Sequence, residues 1–380
     1  MNMFILKYDT QHEGLNTRII LMEINLNIEK GGIHLKEISL NKLEGIVKKV
    51  TTKKDIHGAV FCVSTGDEKQ SWCGASGNLN VDSRFYIASI NKLFVSAIIL
   101  RLIGEGKLSF DDSLSKYISE KQIEGLHIYK GVDYSNQITI EQLLSLTSGL
   151  PCYISDKPEE GRSVMADLEA GIDQPWPTDK VIERIKSMKP HFRPGEGKKC
   201  KYNDTSHQLL DLVIEKITGM SIKDVLNQLF ADLDMADTYV CENLNDVSYV
   251  FPYYKSEIRD ISKFITSTEN DIISTAQDQM RFIKAFFSGY FYPKEQLQLL
   301  EKWKYIFFPF QYGVGIQKFY MPRILSPLQA VPDMIGHCGS TGSVAYYVPS
   351  MDIYITGTTN QQSNPSAAFQ TLIKIVHALK

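Results

Sequence analysis

The sequence predicts an α+β protein in which an antiparallel sheet flanked by helices is assembled from both chain ends, with a mainly helical domain inserted between them. Three observations lead there. Segments of strand length occur early, at Ala59 to Ser64 and Ser71 to Ala75, and return late, at Gly313 to Lys318, Ser343 to Val348 and Ile353 to Thr358. The middle of the chain holds capped, helix-periodic segments instead. With 380 residues, 43% of them hydrophobic, the chain can bury a substantial core in one large or two ordinary domains. The expected division is an N-terminal extension of unknown role at 1–35, a sheet domain from 36–105 and 271–380, and a mainly helical domain at 106–270.

Taken in order, Arg18 to Ile28 alternates loosely enough to suggest a strand that Gly31 and Gly32 break. Leu40, Leu43, Val47 and Val50 recur at helical spacing, and Gly66-Asp67 supplies the turn of a hairpin between the first two strand candidates. Residues 85–100 read as a buried helix. Thr139 and Gln142 form a capping-box pair ahead of Leu143-Leu144, with Gly149-Leu150-Pro151 as the stop. Leu209, Leu210, Val213, Ile214 and Ile217 line a helix ending at Gly219, after which Ser221 and Asp224 begin another. Ser274 to Phe287 and Ala367 to Leu379 complete the helices, and the chain shows neither internal repeat nor low-complexity tract.

One residue in this layout demands an explanation. Lys92 is the sole charged side chain between Arg84 and Arg101, inside an otherwise apolar run. An ammonium buried in such a helix is costly unless it is paired or shifted in pKa, although a lysine can also snorkel to the surface along its own stem. Ser89 stands three residues earlier, on the same helical face and in the first turn, which is the SxxK arrangement of an activated serine nucleophile.

Two further segments carry chemistry. Tyr202-Asn203-Asp204 directly precedes the helix beginning near Thr205, and a phenol beside an ammonium and a helix start is expected to have its pKa lowered from about 10, making it a proton acceptor for the serine. An aromatic simply packed at a loop corner would read the same way. Gly336-His337-Cys338-Gly339-Ser340-Thr341-Gly342 opens the strand Ser343 to Val348, and glycines there let a substrate approach the backbone closely. The alternative is a glycine-rich turn with a half-exposed histidine.

In order and spacing these three segments resemble the serine β-lactamase and penicillin-recognising superfamily, and within it the class C, esterase and D-peptidase branch, where SxxK is followed by YxN and then by KTG or HxG. The resemblance covers about residues 40–375 and extends to Leu146-Thr147-Ser148-Gly149-Leu150-Pro151, Leu233 to Thr238, and Ile273-Ser274-Thr275-Ala276 with Asp278 and Phe282. It implies a β-lactamase/transpeptidase-like fold and an acyl-enzyme on Ser89. Lys92 would be the activating neighbour and Tyr202 the general base that returns its proton to the leaving group. Asp204, His337, Gly339 and Ser340 would border the substrate, with the Ser89 and Ser340 N–H groups facing the oxyanion. Removing one such donor typically costs about 2.7–4 kcal/mol of transition-state stabilisation.

Two departures from the branch matter. Asp204 replaces the Asn of YxN, and a carboxylate near Lys92 would hold it as the ammonium while repelling a substrate carboxylate. His337 replaces a lysine, so a fixed positive charge is missing, since an unperturbed imidazole titrates at about 6.5. Both tilt the expectation from β-lactams toward an ester, amide or D-amino-acid peptide, with a β-lactamase or a catalytically weak penicillin-binding or sensing protein as alternatives. Arg323 is expected on the solvated surface, Cys338 as a buried, inert thiol, and Asn91 in hydrogen bonding without a catalytic role.

Other classes find little support. A net charge of −3 with 41 scattered basic residues gives no nucleic-acid footprint. Six dispersed cysteines without a CxxC, and histidines without an HExxH, predict reduced thiols and neither metal nor cofactor. No apolar run approaches a membrane span or a secretory core, so a cytoplasmic protein acting on a small molecule or short peptide is expected. GxSxG, the signature of the α/β-hydrolase route to a serine hydrolase, is absent.

Overall fold

The computed structural model describes residues 37–326 and 329–380. The 1–35 extension and the strand expected at Arg18 to Ile28 lie outside the described residues. Among the described residues the main sheet has eight strands, each antiparallel to its neighbours, in the order Lys304–Phe307, Phe310–Tyr312, Gln317–Phe319, Met334–Cys338, Ser343–Val348, Ile353–Thr358, Gly58–Thr65 and Ser71–Gly77. Strands from the two ends of the sequence meet where Val60 pairs with Thr358 and Thr65 with Ile353.

Gly58–Thr65 is buried along its whole length because helices cover both faces. Ala59, Phe61 and Val63 pack with Leu43 and Val47 of the Glu37–Val50 helix and with Leu372 and Ile375 of the Ser366–Leu379 helix. Val60 and Cys62 point the other way, into the core shared with the helices Asn91–Gly104 and Ala276–Ser288. The two-residue alternation of the strand thus feeds two cores, and the apolar spacing of residues 40–50 is the matching helical stripe.

Several boundaries differ from expectation. Ile272–Ser274 is a short strand between Phe85–Tyr86 and Tyr239–Val240, so the next helix begins at Ala276, capped by Thr275 Oγ1 accepting from the Asp278 N–H. The strand expected at Gly313 to Lys318 is mostly a turn: Tyr312 ends one strand, Gln317 begins the next, and the Gly313 N–H donates to the Ile316 carbonyl at 2.8 Å. Val314 and Ile316 imitate a pleat because the turn itself is buried. Gly336, His337 and Cys338, expected to lead into the strand Ser343 to Val348, belong to a strand of their own, Met334–Cys338.

The segment between the two halves of the sheet is built chiefly of helices, among them Thr178–Lys186, Thr205–Thr218 and Ile222–Asp232. The Thr139/Gln142 capping box is formed, but its helix stops at Leu144, since Leu146 already takes a left-handed φ of 57°. Gly219 ends Thr205–Thr218 in the same conformation, and Ser221 caps the helix after it. Among the described residues no helix is long and apolar enough to cross a membrane.

The expectation of six reduced thiols fails at one pair. Cys62 and Cys73 are joined in a disulfide, whereas Cys152, Cys200, Cys241 and Cys338 are free. The two cysteines are directly opposite in the hairpin of Gly58–Thr65 and Ser71–Gly77, with Cα atoms 4.1 Å apart. A spacing of eleven residues looks unremarkable along the chain and becomes a contact when the hairpin closes.

Candidate active site

Ser89 sits in a 3₁₀ turn, Ala88–Ile90, that runs straight into the helix Asn91–Gly104. The turn is held from several sides. Phe85 and Tyr86 pair with Ser274 and Ile273, the Ile87 N–H donates to the Ile272 carbonyl, and Ser343 Oγ donates to the Ile87 carbonyl at 2.7 Å. Thr341 Oγ1 donates to the Tyr86 carbonyl. Ala88 is thereby fixed at φ 50°, a left-handed conformation that costs a non-glycine residue about 1–3 kcal/mol and recurs beside functional groups.

Lys92 is only 3% exposed, yet its ammonium is not stranded. Nζ donates to Ser89 Oγ at 3.1 Å and to Asp204 Oδ1 at 2.5 Å. Burial by itself would lower the lysine pKa, but the Asp204 charge and hydrogen bond outweigh it, and the net shift is upward. The other carboxylate oxygen, Oδ2, accepts from the Cys152 thiol at 3.2 Å, and burial pushes that thiol up to about 12. Sequence reasoning found the lysine and the aspartate but not Cys152, which lies just after Pro151 in a stretch read as framework.

Tyr202 approaches the same group. Its ring centroid is 5.7 Å from Lys92 Nζ, and its hydroxyl interacts with the Ser89 side chain. The expected lowering of its pKa does not occur. Burial raises the phenol well above its ordinary value, the Asp204 carboxylate raises it further, and the interaction with Ser89 only partly opposes them. Lys92 is already neutralised by Asp204, so little positive potential is left for the phenol.

His337 is fully buried behind Tyr202 and is not among the residues that line the cavity. Its Nδ1–H donates to the Cys338 carbonyl at 2.8 Å, which leaves Nε2 to accept from the Tyr312 hydroxyl at 3.2 Å. Desolvation first, and the Lys92 charge second, push its pKa down to about 3, so the ring is neutral. Gly339 and Ser340 do reach the cavity. A Cβ on Gly339 would lie 2.4 Å from the Ile87 carbonyl oxygen, so glycine is what allows this turn to close on the serine's turn. Among the described residues neither the Ser340 nor the Ser89 N–H has a backbone acceptor.

The cavity these groups border has a volume of about 290 Å³. Ile154, Met165 and Leu168 form part of its wall from the 150–175 region, Phe307 and Phe310 from the late hairpin, and Ile261 and Phe264 from a segment that sequence reasoning passed over. Cys338 lies at the edge as a thiol whose pKa burial raises to about 11, donating to Gln317 Oε1. Arg323 is exposed. Asn91 donates weakly to Asn270 and Asp271.

A sheet closed from both chain ends, with Ser89 and the buried Lys92 beside the turn between Met334–Cys338 and Ser343–Val348, is the β-lactamase/transpeptidase-like arrangement. The chain belongs to the beta-lactamase family, whose pattern it matches over residues 43–379. A D-stereospecific amidohydrolase from Streptomyces sp. superposes with a TM-score of 0.70 at 23% identity, covering 87% of this chain and 97% of that one. A D-amino acid amidase from Ochrobactrum anthropi SV3, complexed with D-phenylalanine, gives 0.72 at 18% identity, with coverages of 90% and 99%. Protein flp of Staphylococcus aureus (strain MRSA252) is 29% identical over 164 residues, which are 43% of this chain and 29% of that protein. The match to this curated relative thus spans less than a third of its length.

Proposed function

We propose that the protein is a serine acyl hydrolase that forms an acyl-enzyme on Ser89 and acts on an ester, an amide or a D-amino-acid peptide. The observation that carries this reading is the buried Lys92 ammonium, shared between Ser89 Oγ and Asp204 at 3.1 and 2.5 Å. An ion pair of this kind, nearly closed to solvent, is expensive to maintain without a task.

In acylation Ser89 Oγ attacks the substrate carbonyl. Its proton passes to Tyr202 Oη as the Tyr202 proton passes to the leaving nitrogen or oxygen, so the phenol relays and no free phenolate forms. That fits a phenol whose pKa is raised. The Lys92 ammonium stabilises negative charge growing on Oγ, and the Ser89 and Ser340 N–H groups receive the oxyanion. In deacylation water gives its proton to Tyr202 while Tyr202 returns one to Ser89. His337 supports the site from behind by holding Tyr312, and the division into a sheet domain at 36–105 and 271–380 around a helical domain at 106–270 is the accompanying domain reading. The Cys62–Cys73 disulfide favours an oxidising compartment over the cytoplasm.

A second reading, a penicillin-binding or sensing protein of weak turnover, draws on Asp204, whose ion pair holds Lys92 as an ammonium that cannot take the Ser89 proton. A side-by-side panel of p-nitrophenyl esters, D-alanyl peptides and nitrocefin separates the two. Steady release from esters or peptides, abolished in Ser89→Ala, supports the hydrolase. A single stoichiometric burst supports the binding protein, and parent-level release by Ser89→Ala removes both.

A further inference from the structure

The cavity has two kinds of lining. Much of its wall is apolar, but a polar floor, adjoining the turn that carries Ser89, presents Asn91, His207, Asn270 and Asp271, each more than nine-tenths buried. Asp271 is held by three donors, Tyr86 Oη at 2.8 Å and, weakly, the Asn91 amide at 3.5 Å on Oδ1, and Thr268 Oγ1 at 2.7 Å on Oδ2, and the carboxylate still has a lone pair to offer. Among the described residues neither ring nitrogen of His207 has a partner, and Asn91 Oδ1 has none. Behind them Asp211 accepts from Asn270 Nδ2 at 2.5 Å and leaves Oδ1 unpaired.

Buried polar atoms are almost always hydrogen-bonded, so a cluster of unmet ones at the bottom of a cavity marks a place for a ligand group. Their chemistry specifies which. Asn91 Oδ1 and Asp271 are acceptors, and a neutral imidazole adds one acceptor and one donor. Burial lowers His207 well below its ordinary pKa, which keeps the ring neutral, and raises Asp271 only to about 6, which leaves it anionic at neutral pH. The nearby Lys92 does not supply the missing cation, because Asp204 already holds it. A floor rich in acceptors with a net negative charge suits a compact group with several N–H donors and a positive charge.

We propose that this floor is a subsite for a protonated primary amine on the acyl part of the substrate, with Asp271 as its counter-charge and His207 and Asn91 as further acceptors. The proposal rests on the acyl-hydrolase reading. It assigns the amine to the acyl part because that group stays attached to Ser89 through both half-reactions, and Asn91 is two residues beyond Ser89. The apolar wall would then receive the remainder of an amino-acyl side chain.

The test compares p-nitroanilides of D- and L-alanine with the propionyl and N-acetylalanyl analogues at pH 7. The parent enzyme should prefer a free-amine substrate over both analogues by at least tenfold in kcat/KM, and Asp271→Asn should bring that ratio close to one. Ser89-dependent turnover without an amine preference, or a preference unchanged in Asp271→Asn, overturns the subsite and leaves the hydrolase reading intact. If no substrate in the panel is turned over, calorimetry on Ser89→Ala still decides: alaninamide should bind at least tenfold more tightly than propionamide, and equal binding overturns the proposal.

Discussion

Replacing Asp204 by Asn probes the electrostatics of the site most sharply. At 2.5 Å, with an effective dielectric constant of about 20, the attraction between Lys92 and Asp204 is roughly 7 kcal/mol, most of it offsetting the desolvation of both groups. Removing one partner of a buried pair typically destabilises by about 3–5 kcal/mol, equivalent to roughly 2–4 pKa units on the lysine. In the parent the folded-state pKa of Lys92 lies above its unfolded value, so the stabilisation is complete at neutral pH and is lost as the pH rises through the folded value. In Asp204→Asn burial acts without that carboxylate, the folded pKa falls below the unfolded one, and the variant gains stability as the pH rises between the two. Urea unfolding should therefore show a gap of about 3–5 kcal/mol at pH 7 that narrows by pH 10. The kcat/KM profile of the variant should acquire an ionisation between about pH 7 and 9 that the parent lacks. A gap below about 1 kcal/mol that does not change with pH would show that the pair behaves like an exposed one and would refute the reasoning.

Two other outcomes follow from the same structure. Tyr202→Phe should lower kcat by about 100- to 10,000-fold with a much smaller change in KM, the signature of lost proton transfer, whereas parallel losses in both would indicate a packing role. Thiol titration of the unfolded, unreduced protein should find the four free cysteines, rising to all six after reduction; six before reduction would exclude the Cys62–Cys73 bond.

Much of the fold was legible because periodicity and caps report it directly. The stripe of Leu43, Val47 and Val50, the cap at Ser221 and the left-handed Gly219 all act locally, and local physics can be read from local sequence. Gly313 to Ile316 misled because burial in a turn gives the same alternation as a pleat. Cys62 and Cys73 became partners only through strand register.

The site divides in the same way. Lys92 was conspicuous as a lone charge in an apolar helix, whereas Asp204 was reached through the family resemblance, as the third residue of the YxN-like segment. The same argument applies to Asp211, set between Leu210 and Leu212, and would have pointed toward the polar floor. Asp271, His207 and Cys152 lack such a signal, since each sits among polar or turn-forming neighbours and gains its meaning from residues far away in the chain. The pKa of Tyr202 was misjudged because Lys92 was counted as an unneutralised charge and burial was left out.

The central claim, a covalent intermediate on Ser89, is tested most directly by peptide mapping after treatment with a fluorophosphonate. A single adduct is expected on the peptide that contains Ser89, absent from the Ser89→Ala protein. An adduct on another residue, or none while steady ester hydrolysis continues, would contradict it.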